Sequence, residues 1–349
     1  MQEGREMKDA MMAGAIYVQT NEPDNAVIAY GRDASGMLER MGPYPTGGSG
    51  DAVPHLTSQG SVALSGDGRF LLVSNVASDD VSVFAVREDG LDLVRRTPTG
   101  PGPKSIAERD GLVYVLAAGK PRVAGFRLTD AELEPIPGAG SMLSAANADP
   151  AQVGFSPDGS LLVVTERGTD SIVSFPVMAD GRLGEMRVVP SSGPTPYGFA
   201  FTPEGSTLVV TEAFRAEKGA AAASSYRVSM GEIVPVTRSL GNGRSEICWA
   251  VVGPDGRSVY TTNFADGAVS RYVVRQGASL TLGEVAAGLT EDGRPGLRDE
   301  DLTRDGRFLY AIDADAGRIV GWAVGTDGSL TPIGDWDGVP VTVAGLAAR

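Results

Sequence analysis

Short apolar runs alternate with two-residue acidic turns along most of the chain. The run Phe70–Asn75 follows the turn Asp67-Gly68, and the run Leu161–Glu166 follows the turn Asp158-Gly159. Runs of about six residues bounded by Asp-Gly are typical of β-hairpins, in which glycine adopts the positive φ that a tight turn requires. The pattern therefore predicts an all-β protein built from short antiparallel strands.

This pattern of turn and strand recurs as a repeat of propeller-blade length. Successive turn acids are 43 to 51 residues apart, at Asp67, Asp110, Asp158, Glu204, Asp255 and Asp305. Each unit continues into a third and a fourth apolar segment, and several units join these two through a second Asp-Gly turn. One unit therefore predicts a four-stranded antiparallel blade.

The two ends of the chain together supply a seventh blade. Ile16–Asn21 matches the second strand of a blade but has no first strand before it, and Val341–Leu346 has the form of that missing strand. We therefore predict one seven-bladed β-propeller domain over residues 14–349, closed by the C-terminal strand, which leaves only short, protected edges. Residues 1–13 carry no core pattern and are expected to be a loose tail. An open β-sandwich would leave the unmatched strands unexplained.

Charge and composition limit the classes of partner that we expect this protein to bind. The 349 residues include 44 acids and 30 bases, a net charge of −14, which disfavours binding to nucleic acid or anionic membranes. Cys248 is the only cysteine and can form no internal disulfide. No apolar window is long enough to cross a membrane. We expect a cytoplasmic protein with a small-molecule partner, and the oligomeric state stays open.

One face of the propeller is expected to carry the chemistry. In a four-stranded meander the first strand begins, and the second ends, on the face opposite the Asp-Gly turns. Long segments are predicted there, namely Thr46–Gly60, Pro137–Ala151, Gly283–Arg298 and the loop after Glu212. Variation concentrated on one face of a regular scaffold is where function is usually located.

Two positions in each blade are expected to line this mouth. The early first-strand position holds Ser61, Ser105, Gln152, Gly198, Trp249 and Asp299. The last second-strand position holds Asn21, Asn75, Ala117, Glu166, Glu212, Asn263 and Asp313. The carboxylates predict an acidic mouth. They could cap loop amides, or their mutual repulsion could raise their pKa values for proton transfer, or they could hold a cation.

Other residues at the mouth are candidates for binding. Glu300 and Asp301 replace the apolar pairs of sister blades and would need partners, for which Arg294 and Arg298 are near in sequence. The substrate-binding candidates share a predicted place at the mouth, as loop residues or aromatic walls: His55, Gln152, Tyr197, Arg215, Trp249, Arg298 and Asp299.

Three stretches resemble the lactonase family of seven-bladed propellers, which includes propeller-type 6-phosphogluconolactonase and carboxy-muconate lactonizing enzyme. They are Ser156–Val164, Asp67–Asn75 and Asp327–Pro332, and the resemblance extends over all seven blades. It implies an active site at the mouth with a glutamate at the end of a second strand, here Glu212. The family's histidine and arginine positions are Gly198 and Tyr197 here.

These observations give three functional hypotheses. The first is a lactonase-like or lactonizing enzyme for a small cyclic ester or unsaturated acid, with no metal or other cofactor. In it, Glu212 is the general acid/base, Glu166 or Asp313 is its partner, and Arg215 or Arg298 holds an anion. The second is a gluconolactonase-like hydrolase with Ca²⁺ bound by Glu166, Glu212, Asn263 and Asp313. The third is a non-catalytic propeller that binds a small molecule or a protein.

Overall fold

The computed structural model describes residues 12–290 and 294–349, and they form seven four-stranded antiparallel sheets. Residues 1–11 of the predicted tail lie outside the described residues. Blades one to three consist of β28 (Ala344–Ala348), β1 (Gly14–Gln19), β2 (Ala26–Arg32) and β3 (Leu38–Pro45); β4 (Val62–Leu64), β5 (Phe70–Asn75), β6 (Asp80–Val86) and β7 (Leu91–Pro98); and β8 (Pro103–Arg109), β9 (Leu112–Ala117), β10 (Arg122–Thr129) and β11 (Glu132–Met142).

The other four blades follow in chain order. They consist of β12 (Pro150–Phe155), β13 (Leu161–Glu166), β14 (Ser171–Pro176) and β15 (Arg187–Pro190); β16 (Pro196–Phe201), β17 (Thr207–Glu212), β18 (Ala222–Ser229) and β19 (Glu232–Gly241); β20 (Ile247–Val252), β21 (Ser258–Asn263), β22 (Ala268–Val274) and β23 (Leu280–Leu289); and β24 (Leu297–Leu302), β25 (Phe308–Asp313), β26 (Arg318–Val324) and β27 (Leu330–Asp337).

The predicted seven-bladed propeller and its mode of closure are confirmed. The C-terminal strand β28 pairs antiparallel with β1, in the register Tyr17 opposite Ala347, and forms the innermost strand of blade one. It begins at Ala344 rather than at the predicted Val341, because the preceding residues form a turn. Each innermost strand contacts the innermost strands of both neighbouring blades, which closes the ring around a central channel.

The Asp-Gly turns lie where the repeat predicted them. Gly68 and Gly159 have φ values of 72° and 73°, a conformation that side chains disfavour. The turn acid accepts a main-chain N–H from two residues later, from Arg69 to Asp67 at 3.0 Å and from Ser160 to Asp158 at 3.0 Å. Each turn thus satisfies its own backbone donor.

Aliphatic and aromatic side chains fill the spaces between blades, and tyrosines connect adjacent blades. The Tyr114 hydroxyl donates to the Gly181 carbonyl of the next blade at 2.5 Å, and the Tyr260 hydroxyl donates to the Gly328 carbonyl at 2.8 Å. Both tyrosine side chains are fully buried. Buried aromatic rings with a satisfied hydroxyl contribute both apolar burial and orientation to blade packing.

Two of the predicted mouth loops are shorter than expected. The fourth strand of blade three continues to Met142, and that of blade six continues to Leu289, so strands occupy the first parts of Pro137–Ala151 and Gly283–Arg298. The loop between β3 and β4 contains no strand. Across the described ranges, no helix has the length and apolar content needed to cross a membrane.

Ring closure predicts a strong dependence of stability on the C-terminus. Leu346 is 6% exposed within the core of blades seven and one, so Leu346→Ala should reduce the free energy of unfolding by about 2–5 kcal/mol. Removal of residues 341–349 should have a larger effect, because it exposes the inner edge of blade one. Urea denaturation followed by tryptophan fluorescence measures both changes.

Val341→Ala is the matched control, because Val341 is 48% exposed and lies outside β28. It should change the free energy of unfolding by no more than about 0.5 kcal/mol. An unchanged unfolding midpoint for the truncated protein would contradict closure through β28.

Candidate functional site

The mouth of the propeller is shaped by irregularities in the innermost strands. In blades three, five, six and seven, the register between the first and second strands shifts at the mouth end. Such a β-bulge re-aims side chains and is frequent beside functional sites. The bulges contain Lys104, Tyr197, Trp249 and Arg298, respectively.

His55 extends toward these side chains from the loop between blades one and two. Its ring stacks on Phe264, with centroids 5.2 Å apart and planes 6° apart, and its centroid is 5.9 Å from that of Trp249. Its Nε2 atom is 3.4 Å from the Tyr197 hydroxyl oxygen. The Tyr197 and Trp249 rings also pack together, with centroids 5.5 Å apart. Three aromatic side chains therefore position the single imidazole of the chain.

Three basic side chains surround this histidine. The Arg298 guanidinium lies 5.3 Å from the centroid of the Phe264 ring, and the Arg167 guanidinium lies 5.1 Å from that of Tyr197. Lys104 is 4% exposed, and the Arg298 side chain is also 4% exposed. Cations over aromatic faces are favourable, and they retain hydrogen-bond donors for a further anion. The site is thus cationic and largely desolvated.

The two guanidinium groups have acidic partners at the rim of the mouth. Arg167 Nη2 is 2.6 Å from Asp149 Oδ2, and Arg298 Nη2 is 3.7 Å from Asp315 Oδ1. Both aspartates are about half-exposed, so solvent weakens these ion pairs. The Nε atoms of both arginines are buried without a hydrogen-bond acceptor among the described residues.

Burial and the neighbouring charges determine the protonation of the site. Burial first, and then the charges of Arg298, Arg167 and Lys104, lower the pKa of His55 from 6.5 to about 4. Burial and then Arg167 lower the pKa of Lys104 from 10.5 to about 7, while its Nζ donates to Thr57 Oγ1 at 3.0 Å. At pH 7 the imidazole is therefore neutral, and burial and the surrounding positive charges oppose its protonation.

Residues 54–60, which we call the mouth plug, cross the channel at its mouth. Trp249 Nε1 donates to the Ser58 carbonyl at 2.9 Å. The Gln59 side chain donates to the Ala250 carbonyl at 2.9 Å and accepts the Ala250 N–H at 3.1 Å, and Ser105 Oγ donates to the Gln59 carbonyl at 2.6 Å. The plug therefore connects blades three and six across the ring.

The plug also explains the glycine at position 198. A Cβ atom there would lie 2.3 Å from Gln59 Oε1 and 2.5 Å from the Cys248 carbonyl oxygen. Any side chain would have to displace the plug or the neighbouring strand. The space that the lactonase resemblance assigns to a histidine is thus filled here by Gln59.

The predicted general acid/base Glu212 is enclosed within blade five. It is 0% exposed, and its carboxylate accepts hydrogen bonds from Ser224 Oγ at 2.6 Å, Ser239 Oγ at 2.7 Å and Gly193 N at 2.9 Å. Burial raises the pKa of Glu212, and these hydrogen bonds partly oppose the increase. The arrangement is that of a carboxylate that connects the second, third and fourth strands to a loop.

The other two predicted acids are also engaged within their own blades. Glu166 accepts from Ser144 N at 2.9 Å and from Thr169 Oγ1 at 2.5 Å, and Asp313 accepts from Arg318 Nε at 3.2 Å. These carboxylates thus have the contacts expected of loop caps, whereas the side chains that surround His55 are basic and aromatic. Several of those residues are direct sequence neighbours of the predicted positions, and along a strand a shift of one residue exchanges the two faces.

The remaining predicted binding residues have different locations. Gln152 bonds to the Phe199 backbone, accepting its N–H at 2.6 Å and donating to its carbonyl at 3.1 Å. Asp299 lines the channel below the plug. Arg215 is mostly exposed and pairs with Asp170 at 2.5 Å, apart from the group around His55.

The sequence analysis missed several mouth residues that adjoin the positions it selected. Lys104 directly precedes the selected Ser105, in the same way as the predicted Tyr197 and Arg298 precede Gly198 and Asp299. Arg167 and Phe264 directly follow the last residues of second strands. The bulges in the first strands of blades three, five, six and seven were part of the missing information, because a bulge changes which residue faces the mouth.

The family model described as lactonase, 7-bladed beta-propeller matches residues 12–127 and 110–213. The chain belongs to the lactonase family of seven-bladed β-propellers. Solved structures of similar fold include a candidate 6-phosphogluconolactonase from Bacteroides fragilis, with 20% identity, a TM-score of 0.75, and coverage of 98% of this chain and 99% of that chain. The periplasmic gluconolactonase of Pseudomonas aeruginosa has 16% identity, a TM-score of 0.74, and coverages of 96% and 98%.

At these identities, the solved structures support the fold of this lactonase-family propeller and leave its substrate open. No curated protein matches the sequence. Within residues 12–290 and 294–349, no three His, Cys, Asp or Glu side chains are grouped so that they could hold a metal ion. The cationic mouth is therefore the distinctive feature on which a functional proposal can rest.

The buried histidine predicts a specific dependence of stability on pH. The unfolded chain binds a proton at His55 near pH 6.5, whereas the folded protein binds it only near pH 4. Unfolding therefore takes up a proton between these values, and the contribution of His55 to stability falls as the pH decreases from 6.5 to 4. In thermal melts across this range, the melting temperature of the parent should decrease more steeply than that of His55→Gln. Parallel curves for the two proteins would contradict the neutral, desolvated imidazole.

Proposed function

We propose that this propeller is a lactonase-type enzyme that acts at its mouth on a small cyclic ester carrying an anionic group, or on the corresponding unsaturated acid, without a metal. The observation that carries the proposal is the convergence of Lys104, Arg167 and Arg298 on the neutral His55. Membership of the lactonase family supports the reaction class. The substrate class and metal independence are our inference from the residues.

The basic side chains would stabilise negative charge. Hydrolysis of a cyclic ester passes through a tetrahedral intermediate with a negatively charged oxygen, and preorganised donors in a desolvated site stabilise that charge strongly. Arg167 and Arg298 each have a buried Nε without an acceptor in the described part of the chain. Together with Lys104, they could hold the carboxylate of a substrate and the developing oxyanion.

His55 would move the proton. As a neutral imidazole it can accept a proton from water while that water attacks the ester carbonyl, and it can return the proton to the ring oxygen when the carbon–oxygen bond breaks. Lactonization of an unsaturated acid is a different step, in which a carboxylate oxygen of the substrate adds to the carbon–carbon double bond and a protonated general acid delivers a proton to the adjacent carbon. The Tyr197 hydroxyl, 3.4 Å from His55 Nε2, would help to orient the ring.

Glu212 remains the rival for this role. The resemblance assigns the family glutamate to this position, and burial raises its pKa, as a general acid requires. Its contacts with Ser224, Ser239 and Gly193 favour a structural role instead. The catalytic roles of Glu212, Glu166 and Asp313 therefore stay predictions that direct substitution can test.

The calcium-dependent alternative receives less support from the residues. Its four predicted ligands come from four different blades, and each has partners close to it. Asn263 Nδ2, for example, donates to Ser270 Oγ at 2.9 Å, and its Oδ1 accepts from Asn242 at 2.9 Å. Oxygen ligands for Ca²⁺ must share one centre at about 2.4 Å. We therefore derive no step through a metal.

The cytoplasmic location expected from the sequence stays a prediction.

Loss of a mouth cation should reduce activity toward anionic substrates. For Lys104→Gln, we expect kcat/KM on carboxylate- or phosphate-bearing lactones to fall by about 100-fold, because a buried charged contact with the anionic group of the substrate is lost. Neutral lactones should be affected much less. The measurement is a steady-state assay of a panel of neutral and anionic lactones and unsaturated acids.

Lys120→Gln is the matched control, since Lys120 is exposed in a turn of the same blade. Equal losses in both variants would indicate a general charge effect, and kcat/KM within threefold of the parent for Lys104→Gln would contradict the proposed anion site. Absence of turnover by the parent on every compound would favour the non-catalytic binding propeller.

Two conservative substitutions distinguish the proton-transfer candidates. His55→Gln should lower kcat by two to four orders of magnitude, the usual cost of losing a general base. Glu212→Gln should leave kcat within threefold of the parent and destabilise the fold by about 1–3 kcal/mol, because its amide would face the donors Ser224, Ser239 and Gly193. Steady-state rates and thermal melts measure both. The opposite pattern of rate losses would assign the catalytic role to Glu212.

A further inference from the structure

A second polar site lies inside the channel, beneath the mouth plug. A cavity of about 360 Å³ is bounded by Gln59 of the plug and by aliphatic side chains of the innermost strands. Asp299, Glu300 and Asp301 of β24 also line it. Arg304 is the only basic residue among the lining residues, and it is exposed. An acidic cavity therefore lies below the cationic mouth.

The repeat shows that carboxylates are exceptional at these positions. The sister blades place apolar or glycine residues there. The positions of other blades that are equivalent to Glu300 hold Val62, Ile106, Val153, Phe199 and Ala250. The positions equivalent to Asp301 hold Ala63, Ala107, Gly154, Ala200 and Val251. Blade seven thus retains two ionisable groups where the architecture requires none, although burying an unpaired charge is costly.

One of the two partners expected from the sequence is engaged elsewhere. Arg298 turns toward the mouth and donates to the carbonyls of Pro54 and Val341, so the predicted pairing of Arg298 with the two acids is wrong. Asp301 accepts main-chain N–H groups from Ala348 and Leu302, both at 2.9 Å. It is therefore stabilised by the backbone of blade one and of its own strand.

Glu300 has no such compensation. It is 3% exposed, and both of its carboxylate oxygens lack a hydrogen-bond partner among the described residues. Asp299 is 2% exposed, and its Oδ2 likewise has no partner there. The Thr262 N–H lies near Glu300 and opposes the rise in its pKa, but it does not complete a hydrogen bond. Three buried acceptor oxygens of β24 therefore have no hydrogen-bond donor among the described residues.

We propose that the channel cavity binds a small cation, with the Glu300 carboxylate as its anionic anchor. A bound cation would place a positive charge close to the buried carboxylate oxygens of Glu300 and so offset the cost of burying them. Because no three acidic side chains converge in the described part of the chain, the other ligands would be carbonyl oxygens and water. This binding site is independent of the proposed activity at the mouth.

Protonation of Glu300 is the competing means of removing the charge. Burial raises the pKa of Glu300, and the neighbouring acids add to the increase, so a neutral carboxyl can exist in the empty cavity. A neutral Glu300 has no preference among cations. Selectivity between cations therefore distinguishes the two states.

The test is calorimetric titration and thermal melting of protein dialysed against EDTA, at pH 8 and equal ionic strength. The added salts are CaCl₂, NaCl, KCl and methylammonium chloride. We expect at least one of them to raise the melting temperature of the parent saturably and above the others, because it binds the folded state. A response to a metal salt alone identifies an inorganic ion, and a response to methylammonium alone identifies an organic ammonium ligand.

Glu300→Gln should weaken binding of the responding cation at least tenfold, with a melting temperature no lower than that of the cation-free parent. Glu39→Gln is the matched control, since it removes one exposed carboxylate from the outer strand β3, and it should bind as the parent does. If Glu300→Gln does not fold, Glu300→Val replaces it, because sister blades carry valine there. Equal responses of the parent to all four salts, or unchanged binding by the variants, would overturn the proposal.

Discussion

Antiparallel pairing of the first and last strands is the interaction on which the molecule depends. Without β28 on β1, blade one would present an open inner edge, and the innermost strands would not form a closed ring. Because the ring is closed, each blade is held by packing on both sides. The bulges and loops at one face can then hold side chains in arrangements that an isolated blade could not maintain.

The mouth plug divides the channel into two electrostatic regions. Above it, basic side chains and aromatic rings enclose a neutral His55, and below it, Asp299, Glu300 and Asp301 of β24 line the channel cavity. Gln59 lies between the two regions, and its side chain forms two hydrogen bonds with the backbone of Ala250. The two regions meet at Arg298 and Asp299, whose charges interact, and we propose a ligand of opposite charge for each region.

Burial is the common cause of the unusual chemistry at both sites. The lowered pKa values of His55 and Lys104 and the raised pKa of Glu300 all have desolvation as their largest cause. Like charges then act in the same direction for all three groups, while Asp149 and Asp51 partly oppose the decrease for Lys104. A closed ring supplies such desolvation without a deep cleft, since the innermost strands and the plug exclude water together.

The sequence alone determined the blade count, the hairpin turns and the closure, because Asp-Gly turns and apolar runs are local signals repeated at blade length. It also indicated His55, Tyr197, Trp249 and Arg298 as mouth residues. The tertiary structure decided the character of the site. A bulge brought Lys104 to the mouth, and the turn after β13 brought Arg167 beside it, although the two residues are far apart in sequence. A bulge depends on how neighbouring strands and the plug pack, so no local pattern could place it.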